Sequence, residues 1–216
     1  MEIIIMKELL EANDKLAEEN RAYFAARHIL AVNLMGAPGS GKTTLISAIA
    51  KALGDIRVGV IEGDIESSID AENLEKQGIR SAQINTCGEC HLDAHVIKEG
   101  ADSIDMTNAI VFIENVGNLI CPAEFDLGEA VRLLAASVPE GDDKAFKYVP
   151  MFSYVDAVAL TKCDLKEAVG FDGENFLKGL RRISQAPVFE TSLKNGSQAQ
   201  GVNDVANYLR QKYEEM

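Results

Sequence analysis

Gly36-Ala37-Pro38-Gly39-Ser40-Gly41-Lys42-Thr43-Thr44 lies between the apolar run Leu30-Ala31-Val32-Asn33-Leu34-Met35 and the helical run Thr44-Leu45-Ile46-Ser47-Ala48-Ile49-Ala50. Its spacing, Gly, four residues, then Gly-Lys-Thr, is that of a loop that wraps phosphates. Glycines 36, 39 and 41 let successive backbone N–H groups turn inward. A helix opening at Lys42 adds its positive N-terminal end. Lys42 can then reach the β- and γ-phosphates, and the Thr43 hydroxyl can ligate Mg²⁺, with Ser40 and Thr44 in the same cradle. The expected ligand is a nucleoside triphosphate.

The rest of the composition narrows the class. At 216 residues, 47% hydrophobic and 25% charged, the chain reads as one ordinary globular domain. Its formal net charge of −13 argues against DNA, RNA or an anionic membrane surface as partner. No stretch approaches the ~18 consecutive apolar residues of a membrane span. Met1-Glu2-Ile3-Ile4-Ile5-Met6-Lys7-Glu8 lacks the basic start of a signal peptide. A cytoplasmic location is expected, and the four cysteines then read as thiols or metal ligands, not disulfides.

Residues 1–28 carry Ile5, Leu9, Ala12, Leu16, Ala17 and Phe24 at helical spacing and read as a helical extension. From 29 to 216 strand and helix signals alternate. The expected strands are 29–35, 57–62, 80–85, 109–114, 131–138, 156–161 and 187–191, mostly continuous apolar runs. The expected helices are 42–53, 67–77, 92–99, 172–184 and 201–213. Gly54, Gly78 and Gly100 stand where helix C-caps are expected. Strands of this kind belong to an α/β fold, a doubly wound, mostly parallel sheet with helices on both faces. Such sheets gather ligands at the carboxyl ends of their strands, where this sequence puts its polar motifs.

One of these, Thr161-Lys162-Cys163-Asp164, follows the strand Val155-Asp156-Ala157-Val158-Ala159-Leu160. It resembles the Asn/Thr-Lys-x-Asp guanine signature of regulatory GTPases. An ionised Asp164 can accept both N1–H and the exocyclic N2–H₂ of guanine, and the Lys162 stem can lie along the base. Adenine offers no such donor pair, so the site discriminates by leaving groups unpaired. Thr191-Ser192-Leu193-Lys194, after the last strand, can supply a donor loop through Ser192. Asp64 is placed to act on Mg²⁺ through water or to orient the attacking water. Glu114 stands where the aspartate of Asp-x-x-Gly usually does, within reach of a water on Mg²⁺, and Gly117 can give its N–H to the γ-phosphate. Lys42, Asp64 and Glu114 are thus the candidate catalytic residues. No Gln follows Gly117, so unaided turnover should be slow.

A second unusual stretch is Cys87-Gly88-Glu89-Cys90-His91-Leu92-Asp93-Ala94-His95. Cys87, Cys90, His91 and His95 crowd into one loop and a first helical turn, and Cys121 follows Gly117-Asn118-Leu119-Ile120 on a neighbouring strand's loop. Thiolates and imidazoles suit Ni²⁺ or Zn²⁺ better than Mg²⁺.

Taken together these segments resemble the HypB family, GTPases that mature nickel-iron hydrogenases and belong to the SIMIBI class of P-loop GTPases. The resemblance rests on residues 36–43, 89–95 and 113–122, and continues through Glu124-Phe125-Asp126-Leu127-Gly128, Glu140-Gly141-Asp142-Asp143 and Thr161-Lys162-Cys163-Asp164. It implies a P-loop GTPase domain over 29–216, with Cys90, His91 and Cys121 as metal ligands near a dimer interface and Cys87 and His95 as further candidates. It also implies that GTP binding and hydrolysis to GDP are coupled to homodimerisation and to nickel delivery into the hydrogenase large subunit, alongside a small nickel-binding maturation partner. Lys147 falls where the family sends a lysine toward the partner's nucleotide. The chain departs in having no Cys before Cys87 and Cys at 87 where Gly is usual. Cys121-Pro122 is followed by Ala123, where urease-maturation relatives carry His. Two rival readings are a P-loop small-molecule kinase, for which Arg181-Arg182 is the adjacent arginine pair, and a nucleotide-gated metal sensor or docking protein without significant turnover.

Overall fold

The computed structural model describes residues 2–63, 74–86, 90–193 and 201–216. Asp64, Cys87 and most of the helix expected over 67–77 lie outside these residues. Seven strands form one sheet in the order β3-β2-β4-β1-β5-β6-β7, with every neighbouring pair parallel. They are β1 (Ile29–Gly36), β2 (Arg57–Glu62), β3 (Arg80–Gln83), β4 (Ala109–Glu114), β5 (Val131–Ser137), β6 (Ala157–Thr161) and β7 (Val188–Glu190). β1 and β4 are buried along their whole lengths because helices cover both faces, whereas the edge strands β3 and β7 are partly exposed.

Alternate residues of the central strands feed opposite cores. Leu30, Val32 and Leu34 of β1 join Ile110 and Phe112 of β4 beneath α2 (Lys42–Leu53). Ile29 and Ala31 join Val111 and Ile113 on the other side. That second face is covered by α1 (Glu2–Ala26), through Ala17 and Phe24, and by α3 (Ala94–Ile104). Farther along the sheet α4 (Gly173–Arg181) buries Phe176 and Leu180, and α5 (Val202–Glu214) packs on α2. Among the described residues no helix is long and apolar enough to cross a membrane.

Two expectations change in detail. Gly100 does not end a helix: α3 begins at Ala94, runs through Gly100 and stops at Ile104, where Asp105 takes the left-handed conformation at φ 41°. The glycine is there for close approach, since a Cβ on it would stand 2.8 Å from Cγ2 of Ile61. The helix expected over 172–184 is shorter, because Ser184 and Ala186 turn back to accept from Arg181. The short helices Lys144–Lys147 and Val149–Ser153 were not expected at all.

α3 starts on a side-chain cap, with Asp93 Oδ1 accepting from His95 N and Val96 N at 3.0 and 3.1 Å. Asp93→Ala should therefore lower stability by about 1 kcal/mol in urea unfolding, while Asp93→Asn keeps most of it. An unchanged stability for Asp93→Ala would show that the cap contributes nothing.

Candidate functional site

The motifs within the described residues surface on the carboxyl edge of the sheet. After β1 the chain makes the glycine loop, with Gly36 at φ 154° and Gly41 at φ 93° opening α2. A Cβ on Gly36 would lie 2.5 Å from the Ala135 carbonyl oxygen, so no other residue fits between the loop and β5. The loop is fastened from β6: Thr161 Oγ1 donates to the Ser40 carbonyl and Lys162 Nζ to the Gly39 carbonyl, both at 2.6 Å. The lysine expected along a base thus also props the phosphate loop.

A cavity of about 400 Å³ opens over this loop. Gly39, Lys42, Thr43 and Thr44 line one side, Gly63, Glu114 and Gly117 the other. Beside it, a second cavity of about 350 Å³ is bounded by Ser40, Lys162, Asp164 and Leu193. Ser192 Oγ donates to Asp164 Oδ1 at 2.9 Å and orients that carboxylate. The two hollows adjoin at Gly41 and Thr44, a layout that can take a triphosphate in the first and a base in the second.

Thr43 Oγ1 donates to Glu114 Oε1 at 2.8 Å in a partly buried position. An octahedral Mg²⁺ with bonds of 2.0–2.1 Å holds adjacent oxygens about 2.9 Å apart. The pair therefore fits this ion with only a turn of the hydroxyl proton. Glu62, which pairs with Glu114 in the β2–β4 register and is 1% exposed, adds a second carboxylate at the strand ends. On the far rim, burial raises the Glu140 carboxyl above its ordinary range, against the opposing pull of Lys144, Lys162 and Lys42. Lys147 pairs with Asp143 on an exposed turn outside both cavities. Arg181 is engaged by the Ser184 and Ala186 carbonyls.

Cys90, His91 and Cys121 come together, with one ligand atom from each lying within 4.8 Å of the others. Cys90 Sγ and His91 Nδ1 are 3.5 Å apart, and the His91 ring lies against Phe125 with centroids 3.8 Å apart. Bonds of about 2.0–2.3 Å to a four-coordinate ion set ligand separations near 3.3–3.8 Å, so closing the group takes about 1 Å. Three ligands leave one position open. His95 stands outside this group, exposed and turned toward Glu99.

The phosphate cavity and the thiol–imidazole group are joined by the strap Asn115–Cys121. Gly117 presses on the phosphate loop, where a Cβ would lie 2.9 Å from Pro38 Cγ. Asn118 forms a backbone bridge to Gly36, and its Nδ2 reaches the Cys90 carbonyl at 3.4 Å. Asn115 accepts from Leu92 N at 3.1 Å and donates to Asn33 at 3.3 Å, inside the sheet's second face. Asn33 gives its amide to Glu129 at 3.2 Å. Nothing in the local sequence pattern marks Asn118 or Glu129 for these contacts. An asparagine inside the apolar run 30–35 was the one available signal.

The CobW/HypB/UreG nucleotide-binding domain matches residues 30–190. Hydrogenase maturation factor HypB of Escherichia coli is 42% identical over 204 residues, 94% of this chain and 70% of the relative. The chain belongs to the HypB family. Among solved structures, HypB from Helicobacter pylori in complex with nickel superposes with TM-score 0.88 at 35% identity, over 94% of this chain and 96% of that one. HypB from Archaeoglobus fulgidus gives 0.87 at 39% identity, over 94% and 100%. The doubly wound P-loop fold is common to all three.

The thiols of this family member should differ sharply in reactivity. Burial pushes Cys163 up to about 11, leaving roughly one in a thousand as thiolate at pH 8. Cys90 is exposed. Brief iodoacetamide treatment of metal-free protein at pH 8, mapped by mass spectrometry, should label Cys90 well before Cys163. The opposite order would contradict the burial of Cys163.

Proposed function

We propose that the protein is a cytoplasmic GTP-hydrolysing metallochaperone that couples GTP-dependent pairing of two copies to nickel delivery during maturation of a nickel-iron hydrogenase. Its clients in this reading are the hydrogenase large subunit and a small nickel-binding maturation partner. The observation that carries it is the strap Asn115–Cys121, which lines the phosphate cavity at one end and supplies a thiol to the Cys90–His91–Cys121 group at the other.

Each residue has a role set by its chemistry. Asp164, oriented by Ser192, accepts the two guanine donors, and Lys162 holds the phosphate loop through the Gly39 carbonyl. Lys42 neutralises the β- and γ-phosphates beside the inward N–H groups of the loop. Thr43 and Glu114 hold Mg²⁺, which when bound offsets charge on the phosphates. Asp64 orients the attacking water, and Lys147 reaches toward the nucleotide of the second copy.

Gly117 is the residue that senses the γ-phosphate. An N–H donated to it draws the strap toward Pro38, and loss of the phosphate releases it. Because Asn118 touches both Gly36 and the Cys90 carbonyl, the same displacement alters the distance between Cys121 and the Cys90–His91 pair. A soft, three-ligand group suits an ion that must leave: nickel is held by two thiolates and an imidazole, and the second copy completes or shares the open position. Hydrolysis then shifts nickel affinity by the difference in its binding to the two states.

The test is a nickel titration of protein loaded with GDP and with a non-hydrolysable GTP analogue. The two affinities should differ on the order of tenfold. Cys90→Ala/Cys121→Ala should abolish the nickel signal while GTP still binds, and Asp164→Asn should make the response follow xanthosine nucleotides instead. Equal nickel affinities in the two wild-type states would remove the coupling.

A further inference from the structure

We infer that Asn13 and Asn20 of α1 are positioning residues for the thiol–imidazole group, holding the two segments that carry its ligands at one separation. This rests on the proposed metal-binding role of Cys90, His91 and Cys121. The sheet alone does not set that separation. Cys90 and His91 sit on the loop between β3 and α3, while Cys121 sits on the connection from β4 to β5. A metal site tolerates errors of only about 0.5 Å in its ligand cage, so something has to tie the two loops together.

The two asparagines do so directly. Asn13 accepts from Ala94 N at 3.0 Å and donates to the Asp126 carbonyl at 2.8 Å. Asn20 donates to the Ala94 carbonyl at 2.7 Å and to the Leu127 carbonyl at 3.0 Å. Each side chain therefore bridges both ligand-bearing segments. Together they take both backbone polar groups of Ala94, which follows closely on His91. On the other segment they hold the residues just after Phe125, the ring that lies on His91. Asn115 grips Leu92 from the opposite side.

Packing would not select these residues. Asn13 and Asn20 lie two helical turns apart on one face of α1, which also buries Ala17 and Phe24. They are only 6% and 2% exposed, in surroundings where an alanine or leucine would avoid the desolvation of an amide. The chain also comes unusually close there: at Gly128 a Cβ would stand 2.5 Å from the Ala17 carbonyl and 2.6 Å from Asn20 Cβ. Such an approach keeps Leu127 within reach of the Asn20 amide. With either asparagine gone, the two loops could drift apart by the fraction of an ångström that a metal ion registers and a folded core does not.

The experiment titrates cobalt(II), and then nickel(II), into the full chain with GDP bound, following the near-ultraviolet thiolate-to-metal charge-transfer band. Asn13→Ala and Asn20→Ala should each lower metal affinity about 10- to 100-fold and weaken or shift the band, with GDP affinity within about twofold of wild type. Phe24→Leu, which loosens α1 without removing a hydrogen bond to either loop, controls for simple destabilisation. It should keep the wild-type band and affinity at an equal or greater loss of thermal stability. Asparagine variants with wild-type band and affinity would overturn the inference, and so would a Phe24→Leu variant with the same metal defect. If wild-type protein gives no thiolate band, or Cys90→Ala/Cys121→Ala retains it, the metal-site reading itself fails and takes the positioning role with it.

Discussion

The strap from Asn115 to Cys121 is short and is held against the phosphate loop at one end and the Cys90 loop at the other. It leaves β4 at the centre of the sheet, where Asn115 N donates to the Leu34 carbonyl at 3.0 Å. It bears on Pro38 through Gly117, bridges to Gly36 through Asn118, and closes into a 3₁₀ turn at Cys121–Ala123. Close-packed protein interiors transmit small displacements instead of absorbing them. Metal affinity is sensitive to shifts of a few tenths of an ångström, and the phosphate loop is fixed by Thr161 and Lys162. In the proposed coupling, a displacement begun over the phosphates passes along the strap to the thiol–imidazole group.

What keeps the other side of that group still is a polar seam inside an apolar face. Asn33, Asn115 and Glu129 are all buried, and Arg132 closes the seam with an ion pair to Glu129 at 2.7 Å. Glu129 also accepts from Leu127 N at 2.7 Å. Each member removed singly would strand a buried partner at a cost of about 1–3 kcal/mol. Hydrophobic residues of like volume could stabilise the face as well, but they would not fix the heights of Leu92 and Leu127 against the strands. The seam contributes register more than stability, consistent with satisfied buried networks specifying one arrangement.

Most of the fold was legible because its signals are local. Buried parallel strands read as apolar runs, so β1, β2 and β4 fall within a residue or so of expectation. The phosphate loop is legible because only glycine adopts its backbone, and the Cys90–His91 pair because soft ligands are scarce and close in sequence. Gly100 misled because one residue type serves both helix ends and close packing, and only the neighbouring Ile61 separates the two uses. The segment 144–153 forms two short helices interrupted at Tyr148, too brief to carry a periodic signal. The asparagine contacts were illegible for another reason. Asn13 and Asn20 bond to backbone groups 74 to 113 residues away, and neither periodicity nor spacing records such partners.

The most direct measurement of the central claim is nickel K-edge X-ray absorption on protein loaded with one nickel equivalent, compared between GDP and a non-hydrolysable GTP analogue. A strap that transmits the γ-phosphate predicts a changed set of sulfur and nitrogen neighbours, or nickel–sulfur distances altered beyond fitting error, between the two states. Superimposable spectra, with both nucleotides verified as bound, would contradict the account.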